Sequence, residues 1–351
     1  MLVLSRNEVE ELLDLDALLD ALAAAHAELS AGEASLVPRM GAFARNAGIL
    51  GAMPAYAPSS GLGCKLVTLF PENRDRPTHQ AMIALFEPET GTPAALMDGT
   101  YITAMRTAAA AALATRLLAR PDARVLAILG TGVQSRSAQE MFPRAHEFTE
   151  VRVAGRGEFE DAVRGADVVH ATTAAAEPVV RFDWLGPGVH VSSVGYGAGG
   201  SELDPAIVEH ADVVVVEQRD SAFAPLPAGA PELESLGRGG VVELGEIIAG
   251  TADGRSSAEQ ITLYKSVGVA VQDLAAAALE VDVLVRQARL ERLVDEQPPD
   301  LLERHLADEV LDVDAAVAKL AAVLVRLGDL RLERDHPREA RRKVVSVAAH
   351  A

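Results

Sequence analysis

The chain is short of thiols, of positive charge and of long apolar runs, and each shortage excludes something. A single cysteine, Cys64, stands in 351 residues. An internal disulfide framework is therefore impossible, and the usage fits a reducing cytoplasm, the expected compartment. Lysine and arginine number 32 against 51 aspartate and glutamate, a formal net charge of −19. Nucleic acid and anionic membrane both need basic surface, so neither is an expected partner. The longest apolar runs, such as VVVV at 213–216, are strand-sized and far short of a membrane span. Residues 1–30 carry acidic side chains throughout without a basic-then-apolar layout, so no signal peptide is expected. With no second thiol and no His-x-x-His pair, no protein-bound metal is expected.

What is present is organised around Val125–Gln134, VLAILGTGVQ. VLAIL reads as a buried strand, Gly130-Thr131-Gly132 as a tight turn, and SRSAQEMF as a helix. That geometry presents backbone N–H groups and a helix N-terminus to a pyrophosphate. Gly130 permits the sharp turn, and Gly132 lets the backbone approach a ligand. The third glycine of G-x-G-x-x-G would fall at Ser135. The pattern points to dinucleotide binding, with an ordinary strand-to-helix turn as the alternative.

Around this motif the chain divides by its periodicity. Residues 5–31 read as one amphipathic helix with a Ser5/Glu8 capping box, stopped by Gly32, and His26 reads as a surface residue. From Leu36 to Leu96 short extended runs broken by Gly and Pro predict an antiparallel sheet, with a hairpin at Pro88–Gly91. Residues 100–118 are helical and Pro121 ends them. From Arg124 to about Gln218, strands at 124–129, 150–154, 167–172, 189–194 and 212–217 alternate with helices, which predicts a doubly wound parallel sheet. Only about ten residues separate the second and third of these strands, so one β-α unit is expected to be reduced. A strand in ITLYKSVGVA and a long helix follow. Beyond Gln297-Pro298-Pro299 lies an acidic helical stretch with a basic end, an add-on packing on the body or on a partner subunit.

Several cations stand in apolar surroundings. Arg39 follows Pro38, Lys65 lies within GCKLVTLF, and Arg106 interrupts an alanine-rich helix. Such cations need anionic partners. These are either a substrate carboxylate and a cofactor phosphate, or a core carboxylate such as Asp98. Arg156 ends the second nucleotide-region strand, where an acid would hold a ribose 2′-OH and an arginine accepts a 2′-phosphate. It tilts the reading toward NADP(H), against a solvated loop arginine. Thr172 and Thr173 are placed either to touch a cofactor or to cap a strand. His170 and His190 read as core residues, and His79, after the loop PENRDRP, is a better acid-base candidate. No serine sits in a nucleophile elbow.

The motifs LVPR at 36–39, GLGCKLVTLFP at 61–71, FEPETGTPAALMDGTYITAMRTAAAAALATRLLA at 86–119, GTGVQ at 130–134, RGADVVHATT at 164–173, GSELD at 200–204 and TLYKSVGVAVQDLAAA at 262–277 converge. Together they resemble the ornithine cyclodeaminase/μ-crystallin family over roughly residues 1–285. The resemblance implies an α/β fold: a Rossmann-like doubly wound parallel sheet inserted in an α+β substrate and dimerisation domain. The expected boundaries are 1–120 plus about 262–293 for substrate binding and dimerisation, 121–261 for NAD(P) binding, and 294–351 for a C-terminal extension. It implies a homodimer acting on α-amino or α-imino acids with NAD(P), NADP(H) being slightly favoured. Carried over by motif, Arg39 and Lys65 hold the substrate carboxylate, Lys65 polarises the imine or carbonyl, and Val267 touches the substrate. Thr78, Arg106, Gly130, Gly132, Val133, Gln134, Arg156, Thr173, Val194, Gly195 and Ser266 line the cofactor.

One departure bears on the reaction. The cyclodeaminase carries an acid-base aspartate after the fifth strand, whereas VSSVGYGAGGSELD has no carboxylate between Val191 and Ser201, and Glu202 belongs to the following motif. Tyr196 is a poor substitute at neutral pH. Ammonia loss from ornithine needs proton transfers at nitrogen, whereas reduction of a preformed imine needs a carboxylate clamp, a polarising cation and a positioned nicotinamide. The expected activity is therefore an NAD(P)H-dependent reductase of a cyclic ketimine or α-imino/α-keto acid such as pyrroline-2-carboxylate. The alternatives are ornithine cyclodeaminase and a non-catalytic NADPH-binding protein.

Overall fold

The computed structural model describes residues 1–45, 47–195, 200–226 and 228–296, with side chains of the last helix as far as Leu284. Met1–Val283 form one compact unit. Of Leu284–Ala351, the second unit, the described part is helical backbone ending at Glu296. The expected extension beyond Glu296 and the Tyr196 segment lie outside the described residues.

The chain opens with β1 (Leu2–Leu4), α1 (Arg6–Leu12) and α2 (Leu15–Ser30). The expected single helix is thus two. Leu13 is extended, and the Asp14 carboxylate accepts from Asp16 N at 3.0 Å and Ala17 N at 3.1 Å, starting a new helix. His26 is fully buried rather than on the surface, because α2 is covered on more than one side. The strands β2 (Ser35–Leu36), β3 (Met40–Phe43), β4 (Ile49–Ala57), β5 (Gly61–Leu69), β6 (His79–Phe86) and β7 (Pro93–Asp98) complete the first sheet, ordered β1-β7-β6-β5-β4-β2 with β3 also on β4. Its β4–β7 core is antiparallel, and β1 runs parallel to β7.

Helix α3 (Gly99–Leu118) is capped by the Asp98 carboxylate on Thr100 N and Tyr101 N. Asp98 is therefore the helix cap and not the partner of a buried cation. The alanine-rich α3 is buried almost all round, as a helix apolar on every face must be. It touches β6 of the first sheet and reaches the second sheet.

The second sheet is built from β8 (Val125–Leu129), β9 (Glu150–Ala154), β10 (Val168–Ala171), β11 (His190–Ser193), β12 (Val213–Val216), β13 (Val242–Glu243) and β14 (Thr262–Lys265). Its helices are α4 (Val133–Ala145), α5 (Phe159–Val163), α6 (Pro205–His210), α7 (Arg219–Ala222) and α8 (Leu244–Ile248), and α9 (Ala270–Glu296) follows β14. All seven strands are parallel, in the order β13-β12-β14-β11-β10-β8-β9. The expected reduced unit is the five-residue α5 between β9 and β10. One expected boundary moves. The strand Thr262–Lys265, placed with the first region by a division at 261, lies inside this sheet between β11 and β12. Its residues are buried throughout, and only a central position in a sheet covered on both faces provides that.

Three histidines are buried without a counter-charge in contact. His26 is lowered to about 4, and His170 and His190 to about 3, in each case chiefly by burial. Unfolded histidine titrates near about 6.5. Below that pH the unfolded chain takes up protons that the folded chain refuses. The stability is thus fully present above about pH 6.5 and lost as the pH falls toward the folded values, by up to about 1.4 kcal/mol per pH unit per histidine. Thermal melts are expected to show Tm dropping steeply between pH 6.5 and 4.5. His190→Asn, which keeps a polar partner for Thr262 Oγ1, is expected to make that slope shallower whatever its effect at pH 8.

Candidate active site

The site grows from one buried carboxylate. Asp273, in the first turn of α9, is fully buried, and its Oδ1 accepts from Lys65 Nζ at 2.9 Å and from Arg106 Nε at 2.9 Å. Lys65 comes from β5 and Arg106 from α3, so three elements distant in sequence meet at one oxygen. Arg106 Nη1 also donates to Gln272 Oε1 at 2.6 Å, and the Gln272 amide nitrogen lies 3.0 Å from His26 Nε2. That pairing fixes the amide orientation, because Arg106 can only donate. Burial lowers Lys65 to about 7, with Asp273 opposing the shift and Arg106 and Arg39 adding to it. Burial by itself would raise Asp273, but Arg106 and Lys65 outweigh it and hold the carboxyl below its usual range. Lys65 spends one of its three donors on Asp273.

Beside this cluster runs the turn from β14 into α9. Glu217, just past β12 and fully buried, accepts from Ser266 Oγ at 2.5 Å, Val267 N at 3.0 Å and Gly268 N at 3.0 Å. Val267 O in turn accepts from Arg39 Nη2 at 3.3 Å. Gly268 has φ +75°, and a Cβ there would lie 3.1 Å from Arg106 Nη1, so the close approach of turn and guanidinium requires glycine. A cleft opens here between Pro38, Arg39, Met53, Ser221 and Val267. Met53 is the β4 neighbour of Lys65.

The remaining candidates lie at the carboxyl ends of the second sheet, where open parallel sheets bind ligands. Because β8 lies between β9 and β10, the strand order reverses there. Gly130 has φ +121°, and a Cβ would come 2.5 Å from Thr172 Oγ1, so the turn admits only glycine. Gly132 caps α4 without a side-chain acceptor, and no acidic side chain stands in the first turn. Val133 is exposed, and the buried atoms Gln134 Oε1 and Ser135 Oγ have no partner among the described residues. A 13-residue helix thus ends on open N–H donors, a fit for a dinucleotide pyrophosphate. Thr173, Val194 and Gly195 border the same edge. Thr173 N and Oγ1 donate to Glu202 Oε2 at 2.8 and 2.9 Å, while Ser193 Oγ and Gly195 N donate to Oε1 at 2.8 and 2.7 Å. Lys265 Nζ meets Gly195 O at 3.1 Å and Glu232 at 3.2 Å.

Two candidates stand apart from these contacts. Arg156 is exposed after β9, where the Glu158 carboxylate accepts from Gly155 N at 3.1 Å. Thr78 is exposed beside His79, whose pKa is lowered by desolvation and by the cations Lys65 and Arg39. His170 and His190 bond Ser192 and Thr262 within the core. The residues that sequence reasoning missed are Gln272, Asp273, Glu217, Lys265 and the bracing role of Glu202. Gln272-Asp273 did carry a signal, since it breaks an apolar helix as Arg106 does. Among the described residues no three His, Cys, Asp or Glu side chains form a metal-ligand set, and no helix is long and apolar enough to cross a membrane.

Comparison with known proteins bears on the family and the fold. Residues 1–159 and 156–287 match the model of the ornithine cyclodeaminase/mu-crystallin family. The chain is 38% identical to the ketimine reductase mu-crystallin of Mus musculus over 262 residues, 68% of this chain and 82% of that one. The structure of Thermococcus litoralis Delta(1)-pyrroline-2-carboxylate reductase, in complex with NADH and L-proline, is similar with a TM-score of 0.76 and 31% identity, over 82% of this chain and 98% of that one. An archaeal alanine dehydrogenase dimer with bound NAD is similar with a TM-score of 0.74 and 31% identity, over 82% of this chain and 97% of that one.

Glu217 holds the 266–268 turn through two backbone N–H groups and a hydroxyl. Its replacement by alanine leaves partly buried donors unmatched, at about 1–3 kcal/mol each. Urea denaturation of Glu217→Ala is expected to show a loss of about 2–5 kcal/mol, whereas Glu158→Ala at the exposed strand end costs under about 1 kcal/mol.

Proposed function

The chain belongs to the ornithine cyclodeaminase/mu-crystallin family, and we propose that it is an NAD(P)H-dependent reductase of cyclic ketimine or α-imino/α-keto acids. The observation that carries this reading is the buried Lys65–Asp273–Arg106 cluster, joined through the Ser266–Gly268 turn to the carboxyl edge of a parallel sheet. A pyrroline-2-carboxylate-like imine, with one carboxylate and one C=N bond, has the charge that Arg39, which lines the cleft, and the neighbouring Lys65 would pair. In this reading Arg39 and Lys65 bind the carboxylate and Lys65 polarises the C=N bond with its remaining donors. Val267 covers the substrate. A bound NAD(P)H supplies the hydride. Gly130, Gly132, Val133 and Gln134 hold its pyrophosphate, Arg106 adds positive charge, and Thr78, Thr173, Val194, Gly195 and Ser266 border the remainder. In this reading the first sheet serves the substrate side and the second the dinucleotide.

Glu202 favours this activity over the lyase alternative. It is the carboxylate next to the segment where a cyclodeaminase would need its acid-base group, and its two oxygens already accept four hydrogen bonds from Thr173, Ser193 and Gly195. A carboxylate spent in this way is a brace and leaves no lone pair to shuttle protons. Coenzyme choice rests on two opposed groups: Arg156 favours a 2′-phosphate, and the Glu158 carboxylate at the same strand end favours a free ribose hydroxyl.

The homodimer reading rests on the outer face of the first sheet. Met40, Leu50 and Met82 are 57%, 44% and 48% exposed. The register Met40↔Ala52, Ala52↔Leu66 and Leu66↔Met82 lines them up as a continuous apolar face suited to a second copy.

Two measurements test these readings. Purified protein with a cyclic ketimine carboxylate is expected to consume NADH or NADPH, followed by nicotinamide absorbance. Lys65→Ala should lower kcat/KM about a hundred- to a thousandfold, the scale of losing charge stabilisation at the reacting bond, and turnover unchanged in that variant would refute the clamp. Ammonia release from ornithine without net coenzyme consumption would favour the lyase, and tight coenzyme binding without turnover the non-catalytic alternative. For the interface, Met82→Glu should move the elution volume from dimer to monomer in size-exclusion chromatography. A wild-type protein eluting as a monomer would overturn that reading.

A further inference from the structure

We propose that Asp273 is a positioning residue for the reduction, aiming Lys65 and Arg106 and serving as the counter-charge of Lys65. The inference rests on the reductase reading above for its kinetic consequence and on the buried ion pairs around Lys65 for its charge consequence.

The charges around Lys65 are unbalanced. Facing it are Arg106 from α3, Arg39 from the segment before β3, His79 at the start of β6, and Asp273 from α9. One carboxylate thus stands against two guanidinium groups and an imidazole. A fully buried ammonium in such company is retained only through its hydrogen-bonded counter-charge. Asp273 Oδ1 is shared with Arg106, and Oδ2 has no partner among the described residues. Gln272, braced by His26, fixes Arg106 from the other side, so the guanidinium cannot swing away when the carboxylate changes. Burial and the neighbouring cations bring Lys65 down to about 7 even with Asp273 in place. The protonated form that polarises a C=N bond is therefore lost as the pH rises through neutrality, and removing the carboxylate must move that loss to lower pH.

The test compares wild type with Asp273→Asn, which keeps the shape and one acceptor oxygen but removes the charge. The chain has four lysines, so labelling with [13Cε]lysine gives few resonances, and the one absent from Lys65→Arg identifies Lys65. In wild type that resonance is expected to titrate near neutrality, and in Asp273→Asn at least one pH unit lower. The basic limb of kcat/KM should move with it, a loss of about tenfold at pH 8, while Asp273→Glu, which restores the charge, should return the limb toward wild type. Loss of rate in Asp273→Asn with an unmoved limb and an unmoved resonance would reduce Asp273 to a structural role and overturn the proposal. Should Asp273→Asn fail to fold, Asp273→Ser carries the same comparison, and a Lys65 resonance that titrates there as in wild type overturns the proposal. Coenzyme consumption that fails with every imine would count against the reductase reading alone, since the lysine titration needs no turnover.

Discussion

Two cations on one carboxylate oxygen is the interaction on which the arrangement depends. Lys65, Arg106 and Asp273 are all buried, and none would be tolerated there without the others. The pairing ties a strand of the first sheet, the helix between the sheets and the helix that leaves the second sheet. It is therefore both a constraint on the fold and a store of positive charge. Asp273 neutralises one of the two cations, and the surplus is what a carboxylate-bearing substrate would meet.

Two further buried carboxylates, Glu202 and Glu217, act as mechanical braces. Glu202 gathers the ends of β10 and β11, and Glu217 gathers the turn after β14. Each accepts backbone N–H groups that have no strand or helix partner at the sheet's edge, where an unpaired donor is costly. Fixing these loops with carboxylates leaves the glycine turn and the first turn of α4 as the open donors of that edge. The division of labour accounts for an acidic protein whose candidate site is nevertheless cationic: its acids are already committed to lysine, arginine, hydroxyl or backbone.

Much of this was legible beforehand. The glycine turn, the alternating strands, the alanine-rich helix and the short α5 unit follow from periodicity and turn chemistry, which are local. Lys65 and Arg106 stood out because a cation in an apolar run needs a partner. The identity of that partner was not legible. Asp98, near in sequence, proved to be a helix cap, and Asp273 lies 208 residues from Lys65. His26 looked like a surface residue because nothing in its own helix shows that α2 is covered on more than one side. The strand Thr262–Lys265 looked like part of the substrate region because strand order within a sheet is a non-local property.

The sequence by itself determined the glycine turn, the alternating strands and helices of the second sheet with their parallel character, and the family resemblance, since each is written in spacings of a few residues. Only the tertiary structure decided which carboxylate met which cation and which acids were spent as braces. It also decided that β14 lies between β11 and β12, bringing the Ser266–Gly268 turn against Arg106. The physical reason is that charge pairing and sheet order act through space over distances at which sequence separation carries no information.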